Sequence, residues 1–199
     1  MEPRVATEAD VPAVVATITS AFDADPVWSW AFPDPALRPE QYTELWGALI
    51  RAAMRGGFVW MTPGCEAASV WVAPGEEELT AEEERDVVAS INSMLGPRAA
   101  TVLELLERFD ASHPGDRPHY YLSLLGTTAE HRGKGIGMDL LRHNLALIDA
   151  EGMPAYLEST NPANDGRYES AGFRRVGEFS TPDGAHTVTT MWREPGGYS

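Results

Sequence analysis

The sequence predicts one α/β domain, residues 1–199, whose sheet is mixed rather than purely parallel. Segments with the apolar period of helices occur between short apolar runs that are typical of strands. One such run leads through a glycine-rich stretch into a helical pattern. The chain then ends on a hairpin pattern around Pro182-Asp183-Gly184. A chain of this length can bury a sizeable core.

The first elements are a short strand over residues 4–6 and a helix that Thr7 caps, with Asp10 three residues on. The proline-rich stretch 25–39 interrupts the helical pattern and predicts a loop. The apolar face of the first helix consists of Val11, Val14, Val15, Ile18 and Phe22. The next elements are a helix over about 40–55, strands over 58–61 and 68–72, and a helical region over 80–112 that is broken at Gly96-Pro97. A strand to Leu125, a helix to about Glu151 and a strand over 155–158 follow. The last elements are a short helix ending near Gly172 and hairpin strands over 173–179 and 187–192.

Thr80 and Glu83 have the spacing of a capping box at the start of the 80–112 region. Several other glutamates surround this position. Because acidic residues favour a helix N-terminus, we expect these glutamates to be a solvated helix start rather than a cluster of catalytic acids.

Glycines at alternate positions, Gly133, Gly135 and Gly137, separate a strand from the next helix. Backbone amides that no side chain covers, with the helix dipole behind them, form an anion site. Arg132 and Lys134, which is the only lysine of the chain, add positive charge at this point. The loop therefore predicts binding of a phosphate-bearing ligand.

Two common phosphate loops do not match this spacing. A Walker-type loop requires Ser or Thr after the lysine, where this chain has Gly135. A dinucleotide fingerprint requires its third glycine three residues after the second, whereas Gly137 follows two residues after Gly135.

The pattern Arg132-x-x-Gly135-x-Gly137 resembles the pyrophosphate loop of the GCN5-related N-acetyltransferase (GNAT) superfamily. Residues 156–173 resemble a later motif of that superfamily, in which a strand leads to an Asn-containing turn, a Tyr and a Gly-Phe pair. The amino-acid sequence of residues 155–173 is most similar to that of the puromycin N-acetyltransferase branch. The motif resemblance covers about residues 118–180, which would form the acetyl-CoA-binding core.

The resemblance implies the GNAT fold, a mixed and strongly twisted sheet with helices on both faces, and acetyl-CoA as cofactor. It implies that the strands carrying Leu125 and Leu157 separate, with the thioester in the gap. Tyr168 matches the residue that protonates the departing thiolate, unless it is only a core tyrosine. The implied cofactor contacts are Arg132, Gly133, Lys134, Gly135, Ile136 and Gly137 for the pyrophosphate, Leu124, Leu125, Gly126 and Thr127 for the pantetheine arm, Asn161 and Asn164 in a turn whose polar groups contact the cofactor, and Tyr168 at the thiolate.

The chemistry requires a neutral amine held in line with the thioester, an amide N–H near Leu125 or Gly126 for the oxyanion, and proton transfers. Glu158 shares a strand face with Tyr156. It either deprotonates the amine or orients a neighbour. His119 and Ser123 on the other central strand are weaker candidates for the base. Asn164 contacts the cofactor or only caps the following helix; a capping role does not prevent contact with the cofactor.

The aromatic residues Trp28, Trp30 and Phe32 either line the acceptor pocket or pack in the core. With Tyr156 and His119 they are the predicted substrate-binding residues. The formal charge of −15 opposes nucleic-acid binding. It either favours an amine substrate or maintains solubility. We expect the acceptor to be a small-molecule amine, such as an antibiotic or an aminonucleoside.

The interpretation of the chain as an acetyltransferase leaves two alternatives open, a non-catalytic GNAT-fold protein that binds an acyl-CoA or a drug, and an acyltransferase that uses a longer acyl-CoA. The single cysteine, Cys65, excludes an internal disulfide, and no residue spacing suggests a metal site. We expect a cytoplasmic protein without a membrane segment. The sequence does not distinguish a monomer from a homodimer.

Overall fold

The computed structural model describes residues 2–115 and 117–197 and contains one mixed sheet with helices on both faces. The strand order is β1-β2-β3-β4-β5-β7-β6, and only the neighbours β4 and β5 are parallel. This confirms the predicted mixed sheet. The strands are β1 (Arg4–Val5), β2 (Val59–Met61), β3 (Ala67–Val72), β4 (Tyr120–Thr127), β5 (Ala155–Ser159), β6 (Arg174–Ser180) and β7 (Thr187–Arg193).

The helices divide between the two faces of the sheet, as the alternation along β3 shows. Val70 packs in a core with residues of the first five helices, whereas Trp71 packs in a second core with residues of the sixth helix. The helices are α1 (Val11–Phe22), α2 (Pro26–Ala31), α3 (Arg38–Met54), α4 (Ala81–Leu95), α5 (Ala99–Ser112), α6 (Ile136–Ala150) and α7 (Asp165–Glu169).

The segment after α1 forms a short helix, α2, where the sequence predicted a loop. The Asp25 carboxylate accepts hydrogen bonds from the N–H groups of Val27 and Trp28, at 3.0 and 3.1 Å. Pro26 occupies the first helical position, which requires no N–H donor. This pair of start signals outweighs the general tendency of proline to interrupt helices.

Both predicted capping boxes are present. The Asp10 carboxylate accepts from the Thr7 N–H and hydroxyl, at 2.8 and 2.7 Å. At the start of α4 the Glu83 carboxylate accepts from the Thr80 N–H at 2.8 Å. Helices α4 and α5 meet at Gly96-Pro97 as expected.

The strands β4 and β5 separate in the middle of the sheet, as the family resemblance implied. Their parallel register ends at the pair Leu122 and Leu157, although β4 continues to Thr127. A bulge at Ser123 shifts the register between β4 and β3 at the same point. The sheet therefore contains a gap between two of its central strands.

The close approach of α1 to β4 requires glycine at position 126. A Cβ at this position would lie 2.7 Å from the Ala21 Cβ and 3.0 Å from the Ile18 Cδ1. We expect Gly126→Ala to lower the free energy of unfolding by about 1–3 kcal/mol, because α1 must move away from β4 to make room for the added methyl group. Urea denaturation would measure this loss. A control, Gly115→Ala, adds a Cβ with no atom within 4 Å, and an equal loss in both variants would contradict the packing explanation.

Candidate functional site

The gap between β4 and β5 opens into a cleft of about 1310 Å³. The glycine loop and the start of α6 contribute one part of its lining. Helices α1 to α5 contribute apolar side chains, and α4, α5, β5 and the segment before α4 contribute carboxylates. The cleft therefore joins the glycine loop to an acidic and partly apolar pocket.

The glycine loop leaves the first turn of α6 free to bind an anion. Gly135 precedes the helix with φ +81°, in the left-handed region that favours glycine. The first N–H groups of a helix have no intrahelical partner. Gly133, Gly135, Ile136 and Gly137 all line the cleft, so these N–H groups adjoin it.

The charged side chains of the loop are arranged differently from the sequence prediction, which placed Arg132 and Lys134 together beside a phosphate. The Arg132 guanidinium donates to the carbonyl oxygens of Ser20 and Ala21 at the end of α1, at 2.9 and 2.8 Å. Lys134 is exposed and lies outside the cleft lining. The cations that line this part of the cleft besides Arg132 include Arg142, on α6, which the sequence reading did not identify.

The edge of β4 that faces the gap carries the N–H group of Leu125. The Thr128 N–H donates to the carbonyl of Glu66, on the β3 side, at 2.9 Å. Because successive N–H groups of a strand point to opposite edges, those of Leu125 and Thr127 point into the gap. Leu124, Leu125, Gly126 and Thr127 all line the cleft.

Tyr168 lies on α7 and lines the cleft, with its ring in edge contact with Phe173 at 6.2 Å between centroids. Burial raises the pKa of Tyr168 to about 12, and the carboxylates of Asp25 and Asp165 add to the rise. The hydroxyl stays protonated at neutral pH. Among the described residues no hydrogen-bond partner of this hydroxyl is found, so it is free to donate to a ligand.

The side chains of Asn161 and Asn164 also line the cleft, and each bonds within its own turn. Asn161 accepts from the Ala163 N–H at 3.1 Å and thereby caps the turn before α7. Asn164 accepts from Arg167 at 2.8 Å. Asn164 occupies the N-cap position of α7, as suggested, but its side chain makes no capping hydrogen bond and accepts from the arginine instead.

Glu158, on β5, lines the cleft with its side chain only 2% exposed. Its Oε1 lies 3.4 Å from the Nδ1 of His113, which follows α5. Burial alone would lower the pKa of His113, but Glu158, Glu78 and Asp110 raise it above its usual value. His113 is therefore held toward its protonated form beside a buried carboxylate.

Of the predicted substrate-binding residues, only Trp28 lies in the lining of the cleft. Trp30 donates to Asp183 at 2.7 Å and so faces the β6–β7 turn. Phe32 is fully buried in the core. The predicted places of these two side chains are wrong because α2 is a helix, which turns successive residues in different directions.

Tyr156 and His119 also lie outside the cleft lining. The Tyr156 hydroxyl donates to the Ser112 carbonyl at 3.0 Å, so the residue supports the end of α5. The His119 Nδ1 lies 2.7 Å from the carbonyl of Arg117, just before β4. Both rings contact the His113 ring, at 5.7 Å for His119 and 5.1 Å for Tyr156 between centroids, and their assignment to the substrate is not supported.

The sequence predicted no role in the site for His113, Asp110 or Glu78, although all three line the cleft. Glu78 belongs to the glutamates that were expected to be solvated, yet its Oε1 is buried. Asp110 lies in the last turn of α5 and His113 follows this helix. The sequence pattern of α5 is that of an ordinary surface helix. No local signal distinguishes these residues, because their position depends on the packing of α4 and α5 over the sheet.

Two features of the described residues bear on other classes of site. They contain no group of three or more His, Cys, Asp or Glu side chains that could hold a metal ion. Within the same residues, no helix has both the length and the apolar character needed to cross a membrane.

Comparisons with known proteins agree with this geometry. Residues 40–173 match the model of a family described as Acetyltransferase (GNAT) family. A protein of Schizosaccharomyces pombe, named as an uncharacterized N-acetyltransferase, is 26% identical over 185 residues, which cover 82% of this chain and 70% of that protein.

Solved structures share the fold at low identity. A Corynebacterium glutamicum structure is described as histone acetyltransferase HPA2 and related acetyltransferase. Its match to this chain has a TM-score of 0.66 at 23% identity and covers 97% of this chain and 95% of the Corynebacterium chain. The structure of arylalkylamine N-acetyltransferase 2 from Aedes aegypti matches with a TM-score of 0.65 at 13% identity, and the match covers 97% of this chain and 98% of that chain. At these identities the likeness concerns the fold alone.

Proposed function

Because the chain belongs to the GNAT family of acetyltransferases, we propose that it transfers the acetyl group of acetyl-CoA to a primary amine of a small molecule. The observation that carries this proposal is the gap between β4 and β5. It joins the glycine loop to a buried carboxylate, Glu158, and to a free tyrosine hydroxyl, Tyr168. These are the groups that amide formation from a thioester requires.

The residues of the cleft fit coenzyme A at three points. The free N–H groups at the start of α6 suit the pyrophosphate. The unpaired edge of β4 after Leu122 can form hydrogen bonds with the amides of the pantetheine arm. Arg142 and Arg167 line the cleft and add positive charge. When bound, acetyl-CoA supplies an activated acyl group.

In the proposed mechanism three groups of this chain act on the reacting atoms. Glu158 removes a proton from the amine, directly or through water, and His113 lies beside it to balance the charge. The Leu125 N–H stabilises the developing oxyanion. Tyr168 donates its proton to the departing thiolate. Each group lines the cleft on a different element, so the cleft alone brings them together.

The acceptor pocket has an aromatic wall, which supports a small amine with an apolar body. Trp28, Trp46 and Phe109 line the cleft, and Trp28 stacks on Phe109 at 5.9 Å between ring centroids. The Aedes aegypti structure of the same fold is named for arylalkylamine acetylation. Arylalkylamines therefore belong in the substrate panel, together with aminonucleosides and other amine-bearing antibiotics, which the motif wording suggests.

The experiment that tests this function is a thiol-release screen of these amines with acetyl-, propionyl- and succinyl-CoA, preceded by calorimetry with acetyl-CoA. We expect acetyl-CoA to bind and at least one amine to release free thiol. Absence of acetyl-CoA binding would refute the proposal. Preference for a longer acyl-CoA would change the donor but retain the mechanism, and tight binding without turnover of any amine would indicate a binding protein.

We expect Glu158→Gln to lower kcat/KM by about 100-fold at neutral pH, because the glutamine cannot accept the proton of the amine. The rate of this variant should recover as the pH rises, since more of the free amine is then neutral. A pH profile of kcat/KM would measure both effects. The matched control is Glu82→Gln, at an exposed position on α4 outside the cleft. A loss that is independent of pH would remove Glu158 as the base.

A further inference from the structure

Carboxylates crowd one side of the cleft, which we term the acidic side: Glu78, Glu84, Asp110 and Glu158. They come from the segment before α4, from α4 and α5, and from β5. The titratable bases that the structure describes near these residues include His113, 3.4 Å from Glu158, and His119, whose ring lies 5.7 Å from that of His113. The arginines that line the cleft lie on other elements, the glycine loop, α6 and α7. The acidic side thus has more negative charge than its own residues balance.

Two carboxylate oxygens of the acidic side are buried and have no hydrogen-bond partner among the described residues. One is Oε1 of Glu158, whose side chain is 2% exposed, and whose nearest base is the His113 ring at 3.4 Å. The other is Oε1 of Glu78. A buried carboxylate oxygen without a donor destabilises the protein. Glu158 has the His113 ring beside it, whereas the Oε1 of Glu78 has no donor in the described part of the chain, and a ligand that carries a donor would supply it.

The electrostatics of Glu78 agree with this conclusion. Burial raises its pKa, and the carboxylates of Glu158 and Asp110 raise it further, while Ser123 and His113 oppose the rise. The carboxylates are therefore close enough to repel one another. A cation between them would remove the repulsion and stabilise the ionised form of Glu78.

The reacting amine cannot supply that cation. It must lose its proton before it attacks the thioester, and it becomes a neutral amide afterwards. Glu158 takes part in this proton transfer. Among the described residues, Glu78 and Asp110 then share only Ser123 and His113 as stabilising neighbours, unless the acceptor has positive charge elsewhere.

On the basis of the proposed function, we propose that the acceptor carries a second cationic group, an ammonium or guanidinium, which the carboxylates of Glu78 and Asp110 bind while Glu158 serves the reacting amine. The aromatic wall of Trp28, Trp46 and Phe109 lines the same cleft and fits an apolar spacer between the two groups. The substrate class is thus a diamine or an amino-guanidine with a hydrocarbon or aromatic body.

The test compares matched pairs of amines, 1,4-diaminobutane with n-butylamine and 1,6-diaminohexane with n-hexylamine. Wild-type protein should acetylate the diamines with a kcat/KM about tenfold higher or more, the effect of one charged hydrogen bond. Glu78→Gln should lower the ratio of kcat/KM between diamine and monoamine to within about twofold of one, mainly through a higher KM for the diamines. Glu82→Gln is the matched control, and Asp110→Asn is the second variant if Glu78→Gln fails to fold.

The outcomes separate this inference from the proposed function. Equal rates for both members of each pair in wild type would overturn the second cation site, and so would an equal loss for both in Glu78→Gln. Calorimetry of the CoA-bound protein with each amine provides a readout without turnover. If no amine is acetylated but the diamines bind more tightly through Glu78, the proposed function fails and the cation site stands. Displacement of bound diamine by Mg²⁺ or Ca²⁺ at equal concentration would assign the site to a metal ion and contradict the inference.

Discussion

Replacement of Tyr168 by Phe is expected to lower kcat by about 100- to 10,000-fold, the range over which a positioned general acid contributes. The change removes one hydroxyl and keeps the ring that packs on Phe173. Because the hydroxyl has no partner among the described residues, its loss breaks no bond of the fold. We therefore expect the dissociation constant of acetyl-CoA to stay within about a factor of two.

The pKa of Tyr168, raised to about 12 by burial, is important for this prediction. A phenol with this pKa stays protonated throughout the neutral range, and it can protonate a thiolate as the thiolate leaves. Without the proton, the thiolate must depart as an anion into a cleft that is partly closed to water. The barrier then rises while the binding of the substrates does not change.

Stopped-flow thiol release would measure kcat, and calorimetry would measure the affinity for acetyl-CoA. The control is Tyr120→Phe, which removes a hydroxyl that donates to Glu151 at 2.8 Å outside the cleft. Equal losses of turnover and of affinity in Tyr168→Phe, or no loss of either, would exclude Tyr168 as the acid.

Replacement of Gly135 by Val is expected to raise the dissociation constant of acetyl-CoA by about 100-fold or more. The residue has φ +81°, where a branched side chain costs about 1–3 kcal/mol, so the loop must change its conformation. The N–H groups before α6 then lose their alignment, and each charged hydrogen bond lost costs about 1.5–3 kcal/mol. Together these costs reach the 3 kcal/mol that corresponds to about 100-fold.

The matched comparison is Lys134→Ala, one residue away. Lys134 is exposed and outside the cleft lining, so we expect its loss to weaken binding only about two- to fivefold, as for a surface charge. Calorimetry with acetyl-CoA would measure both variants, and thermal unfolding would verify that Gly135→Val is folded. A severe effect of Lys134→Ala together with a tolerated change at Gly135 would show that side-chain charge, rather than the backbone, holds the cofactor.

The sequence alone determined the order and type of nearly all the elements, and it placed the glycine loop between a strand and a helix. These features depend on local rules, such as apolar period, capping residues and glycine at positive φ. It also singled out Tyr168 and Glu158, which lie in or next to motifs with a recognisable spacing and both line the cleft. The helix α2 was missed although its start signal, Asp25-Pro26, is local.

Only the tertiary structure decided which charges the cleft contains. Arg132 lies in the loop, but its guanidinium binds the end of α1, more than 100 residues earlier in the chain. Glu78 has the sequence context of a solvated helix start, yet its Oε1 is buried beside the gap. Local pattern encodes local conformation, whereas the burial of a charge depends on which distant segments cover it. The loop that we propose binds the donor was therefore predictable from the sequence, whereas the carboxylates that we propose select the acceptor became visible only in the fold.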